Sequence, residues 1–236
     1  MWWMVFKWVI IGPVLRAVGR PRIEGLENLP KEGPAIVASN HLAVMDSFFL
    51  PLMVPRRITF LAKSEYFTGK GFKGAFQKWF FTAMGCIPIH RGSADSAQDA
   101  LDAGVEAISE GRLLGMYPEG TRSPDGRLFK GKTGMARVAL ETGAKVIPVA
   151  MINTEKFNPP GTTLPRFTHV RVRIGKPLDF SRFEGMAGNR FIERAVTDEV
   201  MYELMRLSGQ PYVDVYAADV KNGVVEAPSA ASKTVA

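Results

Sequence analysis

The stretch "AIVASNHLAVMDSFFLPLMV", residues 35–54, decides how the rest of the chain is read. Its first five residues have the length and composition of a buried strand, and "DSFFLPLMV" reads as the helix that follows. Residues 40–45 then form the turn between them, with Asp46 near the helix N-terminus. A histidine stands five positions ahead of that aspartate. In a regular helix positions i and i+5 lie about 140° apart around the axis, so His41 and Asp46 would not share a face. Only a turn brings them together. There the carboxylate can receive one ring N–H of His41 and leave the other ring nitrogen free to accept a proton. A plain turn, with Asp46 as a cap and His41 bonded to backbone, fits the same spacing.

The strand–turn–helix pattern recurs along the chain. "ITFLA" (58–62), "CIPI" (86–89), "LLGMY" (113–117), "VIPVAM" (146–151) and "HVRVRIG" (169–175) read as further strands. Helical patterns lie between them. In "SADSAQDALDAGVEAISEG" the residues Ala97, Ala100, Leu101, Gly104, Val105 and Ile108 form one apolar stripe behind a serine cap, and a glycine follows the end. "GMARVALETG" and "NRFIERAVTDEVMYELMRLSG" supply two more helices. Strands alternating with helices predict an α/β fold, a single layered domain with a mixed, largely parallel sheet flanked by helices. Ligands of such sheets bind at the loops leaving the strand ends. The organisation expected is an N-terminal membrane-anchoring helical segment (1–20), one domain (21–208) and a C-terminal extension (209–236) whose last dozen or so residues are small, polar and disordered.

Composition narrows the partners. The 236 residues, 46% hydrophobic, suffice for one core and exclude a chain disordered throughout. Thirty Lys and Arg against 23 Asp and Glu leave a net charge of +7, which favours anionic partners. The basic residues concentrate in the first 22 positions and between Arg56 and Lys78, beside Trp2, Trp3, Trp8, Trp79, Phe80 and Phe81. Tryptophan beside cations points to an anionic membrane surface rather than to nucleic acid. The lone Cys86 excludes an internal disulfide framework and fits a reducing compartment, hence the cytoplasmic face of a membrane, the cell membrane being the expected one. With only His41, His90 and His169 beside it, no zinc cluster is expected.

The opening "MWWMVFKWVIIGPVLRAVGRPR" has no basic residue before its apolar part and no small-residue cleavage site, so a retained segment is expected. Residues 1–12 as a helix reach about 18 Å, short of a hydrocarbon core roughly 30 Å thick. With Pro13 and Arg16 following, a bent, monotopic anchor is expected, with Arg16, Arg20 and Arg22 at the headgroups. The alternative is a buried N-terminal core helix. "FKGAFQKWFFTAMG" (72–85) alternates cations and aromatics and reads either as a second membrane contact or as a core helix with exposed lysines.

Other segments raise the standing of the His41–Asp46 pair. "GMYPEGTRSPDG" (115–126) leaves an apolar strand and gathers glycines, a carboxylate, a hydroxyl and a guanidinium. Such a turn can present backbone N–H groups and Arg122 to an anion, with Glu119 fixing the arginine or a substrate hydroxyl. "GCIPIHRGS" (85–93) ends a strand near Arg91, and "FKGKTG" places Lys130 and Lys132 at the start of the next helix. Lys63 in "LAKSEYF" also follows a strand and is a candidate for the same anion.

These blocks together resemble the glycerolipid acyltransferase family typified by 1-acylglycerol-3-phosphate O-acyltransferase. The family's Asn-His followed by four residues and Asp is present as "NHLAVMD", its second block as "GCIPIHR", its third as "YPEGTRS" and its fourth as "VIPVA", in the family's order across residues 39–150. Pro88, His90 and Tyr117 depart from the residues many members carry. The resemblance implies acyl transfer from a thioester, acyl-CoA or acyl carrier protein, to the free hydroxyl of a lysophospholipid, with the thioester as co-substrate and no further cofactor or metal. It implies His41 as general base and Asp46 as its orienting partner. It also implies an acceptor-phosphate site of Glu119, Gly120, Thr121 and Arg122, assisted by Arg91.

On that reading His41 removes the hydroxyl proton as the oxygen attacks the thioester carbonyl, and no acyl-enzyme is needed. Cys86 as a small buried hydrophobe and Ser47 as a first-turn helix residue are set against covalent nucleophile roles. A lipid hydrolase using the same base on water, and a non-catalytic module binding anionic lipid, are the rival classes.

Overall fold

A computed structural model describes residues 2–89, 94–157 and 165–227. The elements run α1 (Trp2–Val5), a π-helical turn (Phe6–Ile10), α2 (Ile11–Gly19), β1 (Arg22–Glu24), β2 (Ala35–Ser39), α3 (Asp46–Met53), β3 (Ile58–Lys63), α4 (Glu65–Thr68), α5 (Gly71–Met84) and β4 (Ile87–Ile89). They continue with α6 (Ala94–Ser109), β5 (Leu113–Met116), β6 (Leu128–Phe129), α7 (Gly134–Thr142), β7 (Val146–Ile152), α8 (Thr154–Phe157), β8 (Arg171–Ile174), α9 (Arg190–Ser208), β9 (Tyr212–Val213) and α10 (Ala217–Lys221).

Seven strands form one sheet in the order β1-β8-β7-β2-β5-β3-β4, and β6 and β9 form a separate parallel pair. Every neighbouring pair in the large sheet is parallel except β7–β8. This is the mixed, largely parallel α/β sheet that the alternation predicts. β1, β6 and β9 go beyond the expected strands, because two or three residues are too few to show a period.

Burial on both faces explains why β2 reads as an unbroken apolar run. Ala35 and Val37 join Phe49, Leu50 and Leu52 of α3 in one core, whereas Ile36 and Ala38 meet α6, α7 and α9 in the other. Phe49, Leu50 and Leu52 are fully buried; at about 1.5–3 kcal/mol for each such side chain, this face holds α3 against the sheet. The chain leaves β2 into α3 on one face and leaves β5 towards α7 on the other. β2 and β5 are neighbours, in register from Ala35↔Leu113 to Ala38↔Met116. A crevice therefore opens at their C-terminal ends, where oppositely directed connections part.

The N-terminal segment is helical from Trp2 onward. Its helical run continues through Pro13 to Gly19. Pro13 lies in the first turn of α2, directly after the π-helical turn, where widened spacing accommodates a residue that lacks its N–H and crowds the carbonyl four positions back. One side of the run belongs to the core: Phe6 and Leu15 are buried and Trp3 Nε1 donates to the Pro51 carbonyl at 3.3 Å. Lys7, also buried, donates to the Val54 carbonyl. The other side exposes Trp2, Met4, Trp8, Val9, Ile10 and Val14. By length and composition this 18-residue helix is sufficient to cross a membrane. The serine cap expected at residue 93 and most of the tail expected to be disordered, residues 228–236, lie outside the described residues.

Candidate active site

The turn after β2 is held rigidly. Asn40, fully buried, donates its amide to the Met151 carbonyl at 2.9 Å and accepts the Met151 N–H at 2.7 Å, so its side chain continues the pairing with β7. His41 follows at the crevice. Its Nδ1 is 2.9 Å from Asp46 Oδ2, an oxygen that also accepts the Leu42 N–H at 2.7 Å and the Ala43 N–H at 2.8 Å. Asp46 Oδ1 is buried with no partner among the described residues. The turn's two backbone donors and the histidine ring thus share one oxygen, while the N-cap of α3 is Met45, with no side-chain cap bond. With two backbone donors already fixing Oδ2 as an acceptor, the ring donates through Nδ1 and presents Nε2 as the free base.

The His41 ring stacks on Tyr117, with centroids 3.9 Å apart and planes at 12°, and Tyr117 stacks in turn on Phe60. The Tyr117 hydroxyl lies 3.2 Å from Ser47 Oγ. Burial, with the Asp46 carboxylate adding to it, pushes the phenol above its usual range, so it remains a neutral hydroxyl. The sequence marks Tyr117 only as a departure; in the fold it is the platform on which the His41 ring stacks.

Glu119 is placed differently from the expectation. It is 1% exposed, and its oxygens accept the His41 N–H at 3.0 Å and the Phe129 N–H at 2.9 Å. The carboxylate faces the backbone instead of Arg122, with one N–H donor on each oxygen. Burial pushes it up to about 7, against the opposing pull of those two N–H groups. A further bond, from the Ser123 N–H to the His41 carbonyl at 2.7 Å, joins the same two loops.

Gly120, Thr121, Arg122 and Lys132 line the crevice beside His41, and Lys63 at the end of β3 borders it too. Gly120 has φ 72°, and a Cβ there would stand 3.2 Å from Lys132 Cδ and Cε, so glycine lets the lysine lie across the loop. Lys130 instead pairs with Asp214 at 3.0 Å. Arg91 lies outside the described residues.

The crevice encloses about 840 Å³ in all, and Phe48, Pro51, Phe60, Phe80, Phe81 and Met84 add apolar walls to the same cavity. Cys86 also borders it, and burial pushes its thiol up to about 11, which leaves it protonated at neutral pH. Ser47 Oγ faces the Tyr117 hydroxyl. Among the described residues no group of three or more His, Cys, Asp or Glu is placed to hold a metal. A base, a cationic loop and an apolar cavity therefore converge on one crevice.

Comparison with known proteins follows the same lines. The family model described as Acyltransferase matches residues 20–152. The chain is 36% identical over 162 residues to a chloroplastic 1-acyl-sn-glycerol-3-phosphate acyltransferase of Arabidopsis thaliana, over 68% of this chain and 44% of that protein. It is 33% identical over 135 residues to a 1-acyl-sn-glycerol-3-phosphate acyltransferase of Borreliella burgdorferi, over 57% of this chain and 52% of that one. The chain thus spans about half the length of these curated relatives. A crystal structure of the 1-acyl-sn-glycerophosphate acyltransferase from Thermotoga maritima superposes with a TM-score of 0.58 at 25% identity, over 83% of this chain and 80% of that one.

Proposed function

The chain belongs to the Acyltransferase family, and from that premise we propose that it transfers a fatty acyl group from a thioester to the free hydroxyl of 1-acylglycerol-3-phosphate, giving phosphatidic acid. The observation that carries this reading is that His41, paired with Asp46, lines one cavity together with Arg122, Lys132 and a set of apolar side chains. The acceptor's phosphate lies against Arg122 and Lys132, with Lys63 at the border, and the cavity receives an acyl chain. The donor is acyl-CoA or acyl carrier protein.

In the reaction His41 Nε2 takes the proton of the acceptor hydroxyl as that oxygen attacks the thioester carbonyl. The tetrahedral intermediate expels the thiolate, which recovers the proton from the imidazolium while the new ester remains on the acceptor. Asp46 keeps Nε2 directed at the hydroxyl and stabilises the imidazolium. The N–H groups of His41, Leu42, Ala43 and Gly120 are all engaged, so none of these four is a donor for an oxyanion beside His41.

The same reading places the protein on a membrane surface. Ring contacts link Phe76 to Trp79 and Trp79 to Trp2, joining α5 to the N-terminal helix, and Phe72, Phe76, Trp8 and Val9 project outward. An apolar face of this kind with tryptophan and cations fits an interfacial, monotopic attachment.

The decisive experiment measures thiol release from palmitoyl-CoA with and without lysophosphatidate, identifies the lipid product by mass, and runs His41→Ala alongside. Acceptor-dependent release with a diacylated phosphate lipid, abolished in a folded His41→Ala, is expected. Release of free fatty acid without acylated lipid would replace transfer by hydrolysis.

A further inference from the structure

The C-terminal residues 209–227 lie beyond the stretch matched by the family model, which ends at 152, yet they grip both loops of the site. Gln210 Oε1 accepts the Asn40 amide at 2.6 Å while its Nε2 donates to the Gly126 carbonyl at 2.7 Å. β9 pairs with β6 through Leu128↔Tyr212 and Phe129↔Val213, and Phe129, Val213 and Ala217 form a small buried cluster of their own. The strap is therefore fixed at its start and along its middle. At its far end, α10 delivers Lys221 to the cationic loop, where Nζ donates to Thr121 Oγ1 at 3.1 Å and to the Arg122 carbonyl.

We propose that Lys221 is a positioning residue for the acceptor phosphate: it fixes the Thr121–Arg122 backbone so that Arg122 faces the crevice, and it adds a positive charge beside that guanidinium. This rests on the reading of that loop as the phosphate site. Arg122, Lys132 and Lys221 gather around three consecutive residues whose neighbouring carboxylate, Glu119, is turned to the backbone behind them. Like charges so placed repel one another in the free protein, and a bound phosphate relieves the repulsion. Two of the three Lys221 N–H groups are engaged with the loop, which leaves the third for an anion or water. Burial and the Arg122 charge both lower the proton affinity of Lys221, while Glu119 opposes them, consistent with its tight placement against the loop.

The test uses the full chain in detergent micelles. Equilibrium binding of radiolabelled lysophosphatidate, which needs no turnover, is compared for wild type, Lys221→Met and Lys221→Arg; kcat and both KM values are then measured with palmitoyl-CoA. Lys221→Met is expected to weaken lysophosphatidate binding and raise its KM about tenfold, the scale of one charged contact open to water. Its kcat and the KM for palmitoyl-CoA stay within about twofold, and Lys221→Arg restores most of the loss. Unchanged binding and KM in Lys221→Met overturn the proposal. So does a joint loss in kcat and both KM values that arginine fails to rescue, which marks a merely structural contact. If wild type binds lysophosphatidate but transfers no acyl group, the acyl-transfer reading fails while the binding comparison still decides the role of Lys221. If wild type binds none, Lys221 has no acceptor to position and the proposal falls too.

Discussion

Asp46→Asn separates two roles that the aspartate combines, geometry and charge. One oxygen, Oδ2, accepts from His41 Nδ1 at 2.9 Å, from Leu42 N at 2.7 Å and from Ala43 N at 2.8 Å, while Oδ1 has no partner among the described residues. An asparagine that puts its carbonyl oxygen at the Oδ2 position keeps all three bonds and leaves its NH2 where nothing was bonded. The opposite rotamer would set NH2 against two backbone donors and a ring N–H, losing all three bonds, at about 1–3 kcal/mol for each buried backbone donor left unsatisfied. The tautomer of His41 is therefore retained, and only the charge opposite the developing imidazolium is lost. A hydrogen bond to a charged group is worth ~1.5–3 kcal/mol, which caps the penalty near a hundredfold in kcat. In the serine-protease template the same substitution costs about 10⁴ because the tautomer is wrong. The assay is steady-state kcat with KM for both substrates, on protein whose thermal midpoint is checked first. Activity within about threefold of wild type would refute the role of the charge. A loss near 10⁴ in folded protein would refute the geometry, since it would mean that the amide has turned its NH2 towards His41.

Three further expectations follow from the same contacts. Glu119 sits at about 7 against a usual 4.5, so the folded protein holds this proton more tightly than the unfolded chain. The stability it contributes is fully present below about 4.5 and is lost as pH rises through about 7, by up to ~3 kcal/mol. Chemical denaturation of wild type and Glu119→Gln at several pH values should show wild type losing ground to the variant across that window, and a flat difference would contradict the burial. Tyr117→Phe removes the hydroxyl facing Ser47 but keeps the ring under His41; a stability loss of about 1 kcal/mol with kcat/KM within about threefold is expected from thermal melts and kinetics, and a large loss of turnover would make the hydroxyl part of the chemistry. Trp8→Glu and Phe72→Glu change exposed residues outside the core, so co-sedimentation with anionic vesicles should fall while activity on detergent-dispersed substrate persists. Unchanged sedimentation would remove this face from the membrane reading.

The parts legible in the sequence are those whose cause is local or periodic. β2 is readable because burial on both faces imposes an unbroken apolar run, and the turn from Asn40 to Met45 is readable because a histidine and an aspartate five residues apart need one to meet. Contacts made across the sheet left no such trace. A carboxylate in a glycine-bearing loop reads as facing a ligand, yet Glu119 turns inward because the strand order brings His41 N, 78 positions away, to its oxygen. Lys221 contacts Thr121 across 100 positions, from a segment that reads only as an extension. Pro13 reads as a bend because proline breaks an ideal α-helix, and nothing in its neighbours announces the π-helical turn just before it.

On the acyl-transfer reading proposed above, the strand order lets one base and one phosphate site serve a single acceptor. The chain skips a place when it passes from β2 to β3, and β5 later fills that place. The loop with the base and the loop with the cations thus become neighbours although they are made more than seventy residues apart. An acceptor carries its hydroxyl and its phosphate at a separation fixed by covalent bonds, so the two loops must hold a matching separation; a misplacement of about 1 Å can cost a hundredfold in rate. Four hydrogen bonds maintain it directly or at its edges: His41 N to Glu119, Ser123 N to the His41 carbonyl, and the two that Gln210 makes with Asn40 and Gly126. Two of them act on the backbone of His41 itself. The buried Glu119 carboxylate thereby fixes the His41 backbone relative to the loop that carries Gly120, Thr121 and Arg122.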